Sequence, residues 1–169
     1  MTTILYAQPY DISVEGFYFR SEEEYNKIAP TIKRGDGSLV EEFEIQFIDG
    51  ERIDAQLAEA LRLHQGNAAR FLELVDEWHE DQKAKFIIAV GENGNSFDLD
   101  KDDVDELEID VYYDMSMRDL AIHFIDEGLF GEIPKAIASY IDYSAIARDL
   151  SIDYCEFVIG GDNVVYRCG

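Results

Sequence analysis

Carboxylates are the side chains in this chain with the greatest capacity for chemistry. Of the 169 residues, 37 are Asp or Glu and 14 are Lys or Arg, which gives a formal net charge of −23. Asp98, Asp100 and Asp102 have the spacing of the first, third and fifth ligands of an EF-hand calcium loop. The sixth position should then be Gly and is Asp103, and the twelfth should be Glu and is Ile109. The pattern therefore predicts a solvated acidic face, with no metal and no cofactor.

The other reactive side chains do not form a pattern typical of an enzyme. The sequence has no G-x-S-x-G, H-E-x-x-H or Walker motif, and no G-x-G-x-x-G that follows a strand. His64 falls in a predicted loop, His79 at an acidic helix end and His123 on a helix, and none has a recognisable nucleophile partner. With so many carboxylates, two acids close in sequence say nothing about glycosidase chemistry. We therefore expect no catalytic residues, and we do not expect this protein to be an enzyme.

The net charge restricts the class of partner. A protein with a net charge of −23 repels phosphate backbones and anionic lipids, so direct binding to nucleic acid or to an acidic membrane is excluded. A cationic partner is expected instead. Disorder is excluded because 47% of the residues are hydrophobic and 12% are aromatic. The charge is −1 over residues 1–34, −8 over 35–91 and −14 over 92–169, a gradient rather than an acidic tail. No membrane-spanning stretch or secretory signal is visible, which predicts a cytoplasmic protein.

The two cysteines lie in a predicted β-hairpin near the C-terminal end. Strand-like residues 154–159 and 163–168 flank the turn residues Gly160-Gly161-Asp162. If the hairpin closes about the last two turn residues, Cys155 and Cys168 face each other. We expect two reduced cysteines in a cytoplasmic sheet, with a disulfide between them as the alternative.

The first half of the chain alternates strand and helix patterns. Residues 4–7 and 16–20 have the composition of short strands, and Ser21 to Glu24 has the spacing of a capping box. Residues 42–47 alternate polar and apolar side chains, which predicts a strand with one wet face of carboxylates. A helical pattern then runs from Asp54 to Trp78, with a break at His64-Gln65-Gly66-Asn67.

The second half is also mixed. Residues 86–90 form a short apolar run that predicts a buried strand, with a helix fragment as the alternative, and residues 107–113 alternate again. Ser116 to Asp119 forms a second capping box, and the helix that it opens should stop at Gly128. Pro134 suits the first turn of a helix through Tyr140, and Asp142 suits the cap of one through Leu150.

A specific resemblance lies between residues 128 and 150. Three elements occur there at a characteristic spacing: Phe130-Gly131-Glu132-Ile133-Pro134, Tyr140-Ile141-Asp142-Tyr143 and Arg148-Asp149-Leu150. In these elements the chain resembles the ArdA-type antirestriction proteins. Phe130 stands where that family usually has Leu, and Ile146-Ala147 where many members have Tyr-Gly. Residues 4–20 and 41–45 resemble the family more loosely.

The resemblance implies an α+β fold, an elongated chain of three small domains, and a homodimer joined near the C-terminal domain. We place these domains at residues 1–50 (β-rich), 51–85 (helical) and 86–169 (mixed, ending in a β-hairpin). The family also implies a non-enzymatic inhibitor, carried on mobile elements, that mimics B-form DNA and occupies the DNA-binding groove of a type I restriction-modification enzyme, on its methyltransferase core. The net charge of the chain agrees with DNA mimicry, because a charge of −23 equals that of roughly 40 Å of duplex, which carries about one negative charge per 1.7 Å.

Under this interpretation, surface acids from Glu41 onward stand where DNA phosphates would stand. The candidates lie on the wet strand face, the middle helix and the acidic run, and they are Glu42, Glu44, Glu73, Asp76, Glu77, Glu80, Asp81, Asp98, Asp100, Asp102, Asp103, Asp105, Glu106, Glu108, Asp110 and Asp114.

The motif residues have two interpretations, a contact site on the enzyme or helix capping with subunit packing, and we favour the second. They are Gly131, Glu132, Ile133, Pro134, Tyr140, Ile141, Asp142, Tyr143, Arg148, Asp149 and Leu150. Arg148 is expected to pair with Asp149 or Asp142. The alternative function is an acidic adaptor that sequesters a basic DNA-binding protein, and adaptation to high salt is a third explanation of the charge.

Overall fold

The computed structural model describes residues 1–168, which divide into two compact units between Val104 and Asp105. We call residues 1–104 the first unit and the chain from Asp105 onward the second unit. Each unit combines helices with a three-stranded antiparallel sheet. The α+β class is therefore confirmed, whereas the three domains expected at residues 1–50, 51–85 and 86–169 stay a prediction.

The sheet of the first unit has the order β2-β1-β3, with β1 at Ile4–Pro9, β2 at Phe17–Phe19 and β3 at Phe43–Asp49. Alternation along β3 is as expected, since Phe43 and Ile45 are buried while Glu44 is exposed. A strand with this period places one row of side chains in the core and the other in water. The exposed face of this strand is thus confirmed with Glu44 on it, whereas Glu42 is exposed just before the strand begins.

Four helices complete the first unit: α1 at Glu22–Ile28, α2 at Arg52–Ala60, α3 at Ala68–Glu77 and α4 at Glu80–Phe86, with a 3-10 turn at Ala29–Thr31. Ser21 caps α1 as predicted, because its hydroxyl accepts the Glu24 N–H at 3.1 Å. The break between α2 and α3 spans residues 61–67 and includes the expected residues 64–67.

The strand predicted at residues 86–90 is wrong, and the helical alternative is confirmed. Phe86 ends α4, and the chain continues as a π-helical turn over Ile87–Glu92. Ile87, Ile88 and Ala89 are buried there, and this turn packs against α2. A short, uniformly apolar run has no period, so it is the same in a buried helix as in a buried strand.

A buried ion pair joins α2 to α4. Lys83 Nζ lies 2.7 Å from Asp54 Oδ1, and the two side chains are 6% and 2% exposed. Among residues 1–168 these are the two charged residues with buried side chains. The pair fixes the two helices to each other because either charge alone would be costly to bury.

The sheet of the second unit has the order β4-β6-β5, with β4 at Val111–Tyr113, β5 at Tyr154–Ile159 and β6 at Asp162–Arg167. Helices α5 (Met117–Asp126) and α6 (Tyr143–Leu150) pack against each other. The core is formed by Leu120, Phe124 and Val165. Short 3-10 turns lie at Val104–Glu106 and Ala138–Tyr140.

The helix signals of the second unit are confirmed in two cases and wrong in one. The capping box of Ser116 and Asp119 is complete, and Asp142 caps α6. The helix predicted from Pro134 to Tyr140 is instead a turn followed by the 3-10 turn. This segment has no buried residue, so no apolar face holds it in a longer helix.

The expectation that both cysteines are reduced is also wrong. Cys155 and Cys168 are joined by a disulfide, with their Cα atoms 5.9 Å apart. The hairpin closes about Gly160 and Gly161, whose φ angles are 64° and 119°, so Cys155 stands opposite Tyr166. Positive φ at both turn residues suits a two-residue hairpin turn. Because the turn lies at these two residues, the partner of Cys155 is two residues earlier in the chain than the expected Cys168. The bond therefore joins diagonal positions.

No helix within residues 1–168 combines the length and the apolar character that crossing a membrane requires.

Candidate functional site

Nearly all of the carboxylates lie on the surfaces of the two units. Of the 37 acidic side chains, Asp54 is buried, Asp11 and Asp98 are half-buried, and all the others are exposed. The first unit carries 23 acidic and 10 basic residues, and the second carries 14 and 4. Each unit by itself therefore presents an acidic surface that attracts cations and repels phosphates.

The candidate carboxylates of the middle region lie on two helices, where one was expected. Helix α3 ends at Glu77, and Trp78 has an extended backbone with ψ of 135° before α4 begins at Glu80. Glu73, Asp76 and Glu77 therefore belong to α3, and Glu80 and Asp81 to the first turn of α4. Carboxylates in a first turn are stabilised by the helix dipole.

Arg70 partly neutralises the α3 carboxylates. Its Nη1 lies 2.9 Å from Glu73 Oε2 and 3.0 Å from Glu77 Oε2. These two carboxylates raise the pKa of Arg70, with the Glu73 hydrogen bond as the largest cause. The three side chains together carry a charge of about −1, so Glu73 and Glu77 are weaker phosphate analogues than their number suggests.

The acidic run from Asp98 to Asp103 closes its own turn with carboxylates. Asp98 accepts the Asp100 N–H at 3.0 Å and the Lys101 ammonium at 2.6 Å. Asp102 accepts the Asp98 N–H at 2.7 Å. The hydrogen bond from Lys101 is the first cause that lowers the pKa of Asp98. This geometry resembles a self-capped turn rather than a ligand cage pointing at one centre.

The remaining acids of the run flank β4. The expected strand over residues 107–113 is shorter and begins at Val111. The acids before it are all exposed: Asp105 and Glu106 lie in the 3-10 turn and Glu108 and Asp110 in the irregular segment that follows it, and Asp114 comes after the strand with φ of 56°. Exposed and half-buried residues alternate from 106 to 111, so the carboxylates of this segment face solvent while the aliphatic side chains between them are partly covered.

The three histidines occupy structural positions. His64 lies between α2 and α3, and its Nδ1 accepts the Gly66 N–H at 3.0 Å. His79 caps α4. The His123 ring lies 5.9 Å from the ring of Tyr112.

The segment from Gly128 to Leu150 connects α5 to the end of α6. Gly128 and Gly131 have φ angles of 76° and 90°, conformations that favour glycine. Asp142 Oδ1 accepts the N–H groups of Ser144 and Ala145, both at 3.0 Å. Arg148 forms no ion pair with Asp142 or Asp149 within the described residues, so the expected pairing is wrong. The Asp142 carboxylate caps the helix instead.

An open cleft of about 440 Å³ lies beside this segment. It is lined by the end of α5, the glycine-bounded loop and the start of α6, namely Ile125, Asp126, Glu127, Gly128, Gly131, Glu132, Ile133, Ala138, Ile141 and Tyr143. Large apolar side chains are exposed in the same segment: Leu129 by 65%, Phe130 by 54%, Ile137 by 53% and Tyr140 by 84%. Such a concentration of exposed apolar side chains is typical of an interaction surface.

The model of one protein family, described as antirestriction protein (ArdA), matches residues 13–163 of the chain. The chain belongs to this family. No curated protein matches it significantly. Membership in the ArdA family implies antirestriction, and hence an interaction with restriction enzymes; this family is one of antirestriction proteins rather than of enzymes.

In this ArdA family member, sequence reasoning found the acidic surface and the motif and missed two features. The Arg70 ion pairs had a readable signal, since Glu73 stands three residues after Arg70 on a predicted helix. The cleft had none, because Asp126 and Glu127 approach Glu132 and Ile133 through a loop whose course depends on two positive φ angles.

Proposed function

We propose that this protein inhibits a type I restriction-modification enzyme by mimicking DNA and occupying the DNA-binding groove of the methyltransferase core. The observation that carries the proposal is the exposure of nearly every carboxylate on both units. Lys and Arg residues that line a DNA groove recognise an array of negative charges, and carboxylates can replace phosphates in charge-assisted hydrogen bonds.

The net charge of each unit is comparable to that of a short length of duplex DNA, which supports the proposal. The first unit has a net charge of −13 and the second of −10, equivalent to roughly 22 Å and 17 Å of duplex at one charge per about 1.7 Å. The exposed acids that flank β4 and those on α3 and α4 are the phosphate analogues that we favour. Long-range attraction between such surfaces and a basic groove accelerates association.

We further propose a homodimer formed through the exposed apolar side chains of the second unit. Leu129, Phe130, Ile137 and Tyr140 all lie in the segment that carries the family motif. Burial of aromatic and aliphatic side chains supplies most of the energy of such contacts. The target acts on DNA inside the cell, so we place the protein in the cytoplasm.

A competition assay tests the inhibitor function. A labelled duplex bound to a type I methyltransferase core is titrated with the protein, and we expect complete displacement near stoichiometric amounts. An unrelated basic DNA-binding protein, tested in parallel, should keep its duplex. No displacement from the core would refute the proposal, and equal displacement from both proteins would favour the acidic adaptor.

A mass measurement tests the dimer. Sedimentation should give twice the 19.3 kDa of the chain, and Tyr140→Asp should shift the equilibrium toward the monomer. Ile12→Asp, at an exposed apolar residue of the first unit, is the matched control that should leave the mass unchanged. A wild-type monomer at micromolar concentration would contradict this part of the proposal.

A further inference from the structure

Strand β3 has an open edge in the sheet of the first unit. The sheet order β2-β1-β3 leaves one side of β3 without a neighbouring strand among residues 1–168. The Phe43 N–H points to this side, because it donates to Gln65 Oε1 at 3.0 Å and not to β1. Backbone groups alternate in direction along a strand, so the N–H and C=O groups of Ile45 and Phe47 also point to the open side. An added strand can pair with them.

A cleft of about 500 Å³ lies between this edge and α2, and we call it the β3 cleft. Ile45 and Phe47 line it from the strand, and Ala55, Ala58 and Leu63 line it from the helix and the turn that follows. The two alanines leave room for side chains that enter from outside. The volume lies within the range of roughly 300–1,000 Å³ that ligands occupy.

One end of the β3 cleft is closed by Gln65. Its Nε2 donates to the Glu41 C=O at 3.0 Å while its Oε1 accepts the Phe43 N–H, so a side-chain amide already occupies this part of the edge. Gln65 follows α2 and contacts the start of β3, which places the end of α2 at the closed end of the cleft. Arg62 lies three residues before Gln65 and lines the cleft. A strand added to the open edge must therefore stop near Arg62.

Arg62 occupies a backbone position at which glycine is usual. The end of α2 forms a Schellman motif, in which the Leu63 N–H bonds the Ala58 C=O and the Arg62 N–H bonds the Glu59 C=O, both at 2.9 Å. Arg62 is the residue of this motif with positive φ, at 51°, a conformation that strains any side chain. Its guanidinium forms no ion pair within residues 1–168. The strained position thus holds an unpaired cation at the cleft, where glycine would relieve the backbone.

We infer that the β3 cleft binds the C-terminal segment of a partner protein by strand addition, with the terminal carboxylate at Arg62. The segment would run antiparallel to β3, so that its last residue pairs with Ile45 and the residue two before it pairs with Phe47. The side chains of these two residues would enter the cleft and must be apolar, because paired residues share a face of the sheet. The carboxylate would accept the Ile45 N–H and charge-assisted hydrogen bonds from the guanidinium.

The closed end and the local charge together favour a chain terminus as the occupant. An internal segment would have to turn away from the edge at Gln65, whereas a terminus ends there. The net charge of −13 on the first unit repels a segment rich in acids, so a single carboxylate placed at the unpaired cation fits best. A second copy that paired β3 with β3 would oppose two units of −13 each and would bring no terminus to Arg62.

Short peptides test the site on the full chain. The probe is acetyl-Lys-Val-Thr-Val with a free carboxylate, and the control is the same peptide as its C-terminal amide. Titrated into the ¹⁵N-labelled protein, the acid should bind about tenfold more tightly than the amide and should shift the amides of Ile45 and Phe47. Equal affinities, no binding of the acid at millimolar concentration, or shifts at Tyr6 and Tyr18 in place of the β3 edge would overturn the inference.

Arg62→Gly separates recognition from folding. Glycine adopts positive φ without strain, so this variant should melt at the same temperature as the wild type or higher, yet it should bind acid and amide equally. Arg52→Gln is the matched control, because it removes a positive charge from an exposed position of α2 outside the cleft. It should keep the preference for the acid. A preference that survives in Arg62→Gly would refute the role of the guanidinium.

Two further measurements identify other occupants. A peptide that is N-methylated at its last valine lacks the N–H that would pair with the Ile45 C=O, so it should bind more weakly than the probe. Equal binding of the methylated peptide would exclude strand addition. Shifts of the Ile45 and Phe47 amides that grow with protein concentration, with no peptide present, would show a second copy at the edge and overturn the inference. Peptide binding is measured without the restriction enzyme, so its failure leaves the proposed function untouched.

Discussion

At the scale of single residues, the buried Asp54–Lys83 pair has the largest expected effect on stability. Lys83→Met leaves the carboxylate of Asp54 buried without its cation, so we expect the free energy of unfolding of the first unit to fall by about 3–5 kcal/mol. Urea denaturation measures the loss. Lys85→Met, two residues along the same helix and half-buried, is the control and should change stability by less than about 1 kcal/mol.

The double variant Asp54→Leu with Lys83→Met distinguishes charge from packing. Replacing both partners with apolar side chains removes the uncompensated charge, so we expect it to be more stable than Lys83→Met alone. A double variant as unstable as the single one would show that the pair acts through shape rather than charge.

Asp119 provides a prediction about pH. Ser116 holds the pKa of this exposed carboxyl below its usual value, first through the hydroxyl at 2.6 Å and then through the backbone N–H at 2.9 Å. A carboxyl whose pKa is lower in the folded state contributes stability above its unfolded pKa and loses that contribution as the pH falls through the folded pKa. The capping box of α5 should therefore weaken in acid, below about pH 4.

Substitution at the cap checks the cause of this shift. Ser116→Ala should raise the pKa of Asp119 toward its usual value, as followed by the ¹³C shift of the carboxyl during titration. Ser13→Ala is the matched control, because Ser13 bonds Asp11 in the same way and should move that carboxyl instead. An unchanged Asp119 in Ser116→Ala would assign the shift to another group.

These two sites also show what could be read from the sequence at this scale. The Ser116 capping box is local, since donor and acceptor are three residues apart and the spacing itself predicts the contact. Asp54 and Lys83 are 29 residues apart, and each sits on a helix that is otherwise amphipathic. Nothing in the sequence distinguishes them from surface charges until the helices are packed.

At the scale of elements, the hairpin of β5 and β6 is closed by a covalent bond. The disulfide between Cys155 and Cys168 closes a loop with a sequence separation of 13. Loops of this size are stabilised by about 3 kcal/mol in the chain-entropy description. We expect reduction, or Cys155→Ser with Cys168→Ser, to lower the stability of the second unit by up to that amount.

Hydrogen exchange resolves the effect of the disulfide by element. Reduction should accelerate exchange of the slowest amides of β5 and β6, while the slowest amides of β1 and β3 in the first unit keep their rates and act as the internal control. Unchanged exchange in β5 and β6 would mean that strand pairing alone holds the hairpin.

Elements with a clear period or a local cap were predicted, and uniformly apolar or exposed segments were not. Strand β3 alternates and α6 begins at an aspartate cap, so both follow from the sequence. The run after Phe86 has no period, and its helical form depends on packing against α2. The turn after Pro134 has a helix-start residue but no buried face to support a helix.

At the scale of the whole molecule, the net charge of −23 has opposite effects on folding and on function. Exposed carboxylates repel one another within each unit, which destabilises the compact state. The same carboxylates attract the basic groove of the proposed target. Salt screens both interactions, and the Debye length falls from about 30 Å at 0.01 M to about 8 Å at 0.15 M ionic strength.

Salt should therefore stabilise the protein while it weakens the binding of the protein to the methyltransferase core. Between 0.02 and 0.3 M salt, we expect the melting temperature to rise with NaCl and KCl alike, whereas an equimolar amount of a neutral osmolyte should have a smaller effect. Over the same range, the dissociation constant for the methyltransferase core should increase. A melting temperature that falls with salt would mean that ion pairs such as Arg70 with Glu73 outweigh the repulsion.

The salt dependence of binding should also be shallower for the protein than for the DNA that it replaces. Duplex DNA condenses counterions along a uniform line of charge and releases them on binding, with a slope of about −0.9 per neutralised phosphate. Here 14 basic residues are interspersed among 37 acidic ones, and Arg70 already shares its charge with Glu73 and Glu77, so fewer counterions are condensed. Higher salt should then favour the protein in competition with duplex on the same core. Parallel slopes for the two ligands would instead indicate that the folded surface reproduces the charge density of DNA and not just its sign.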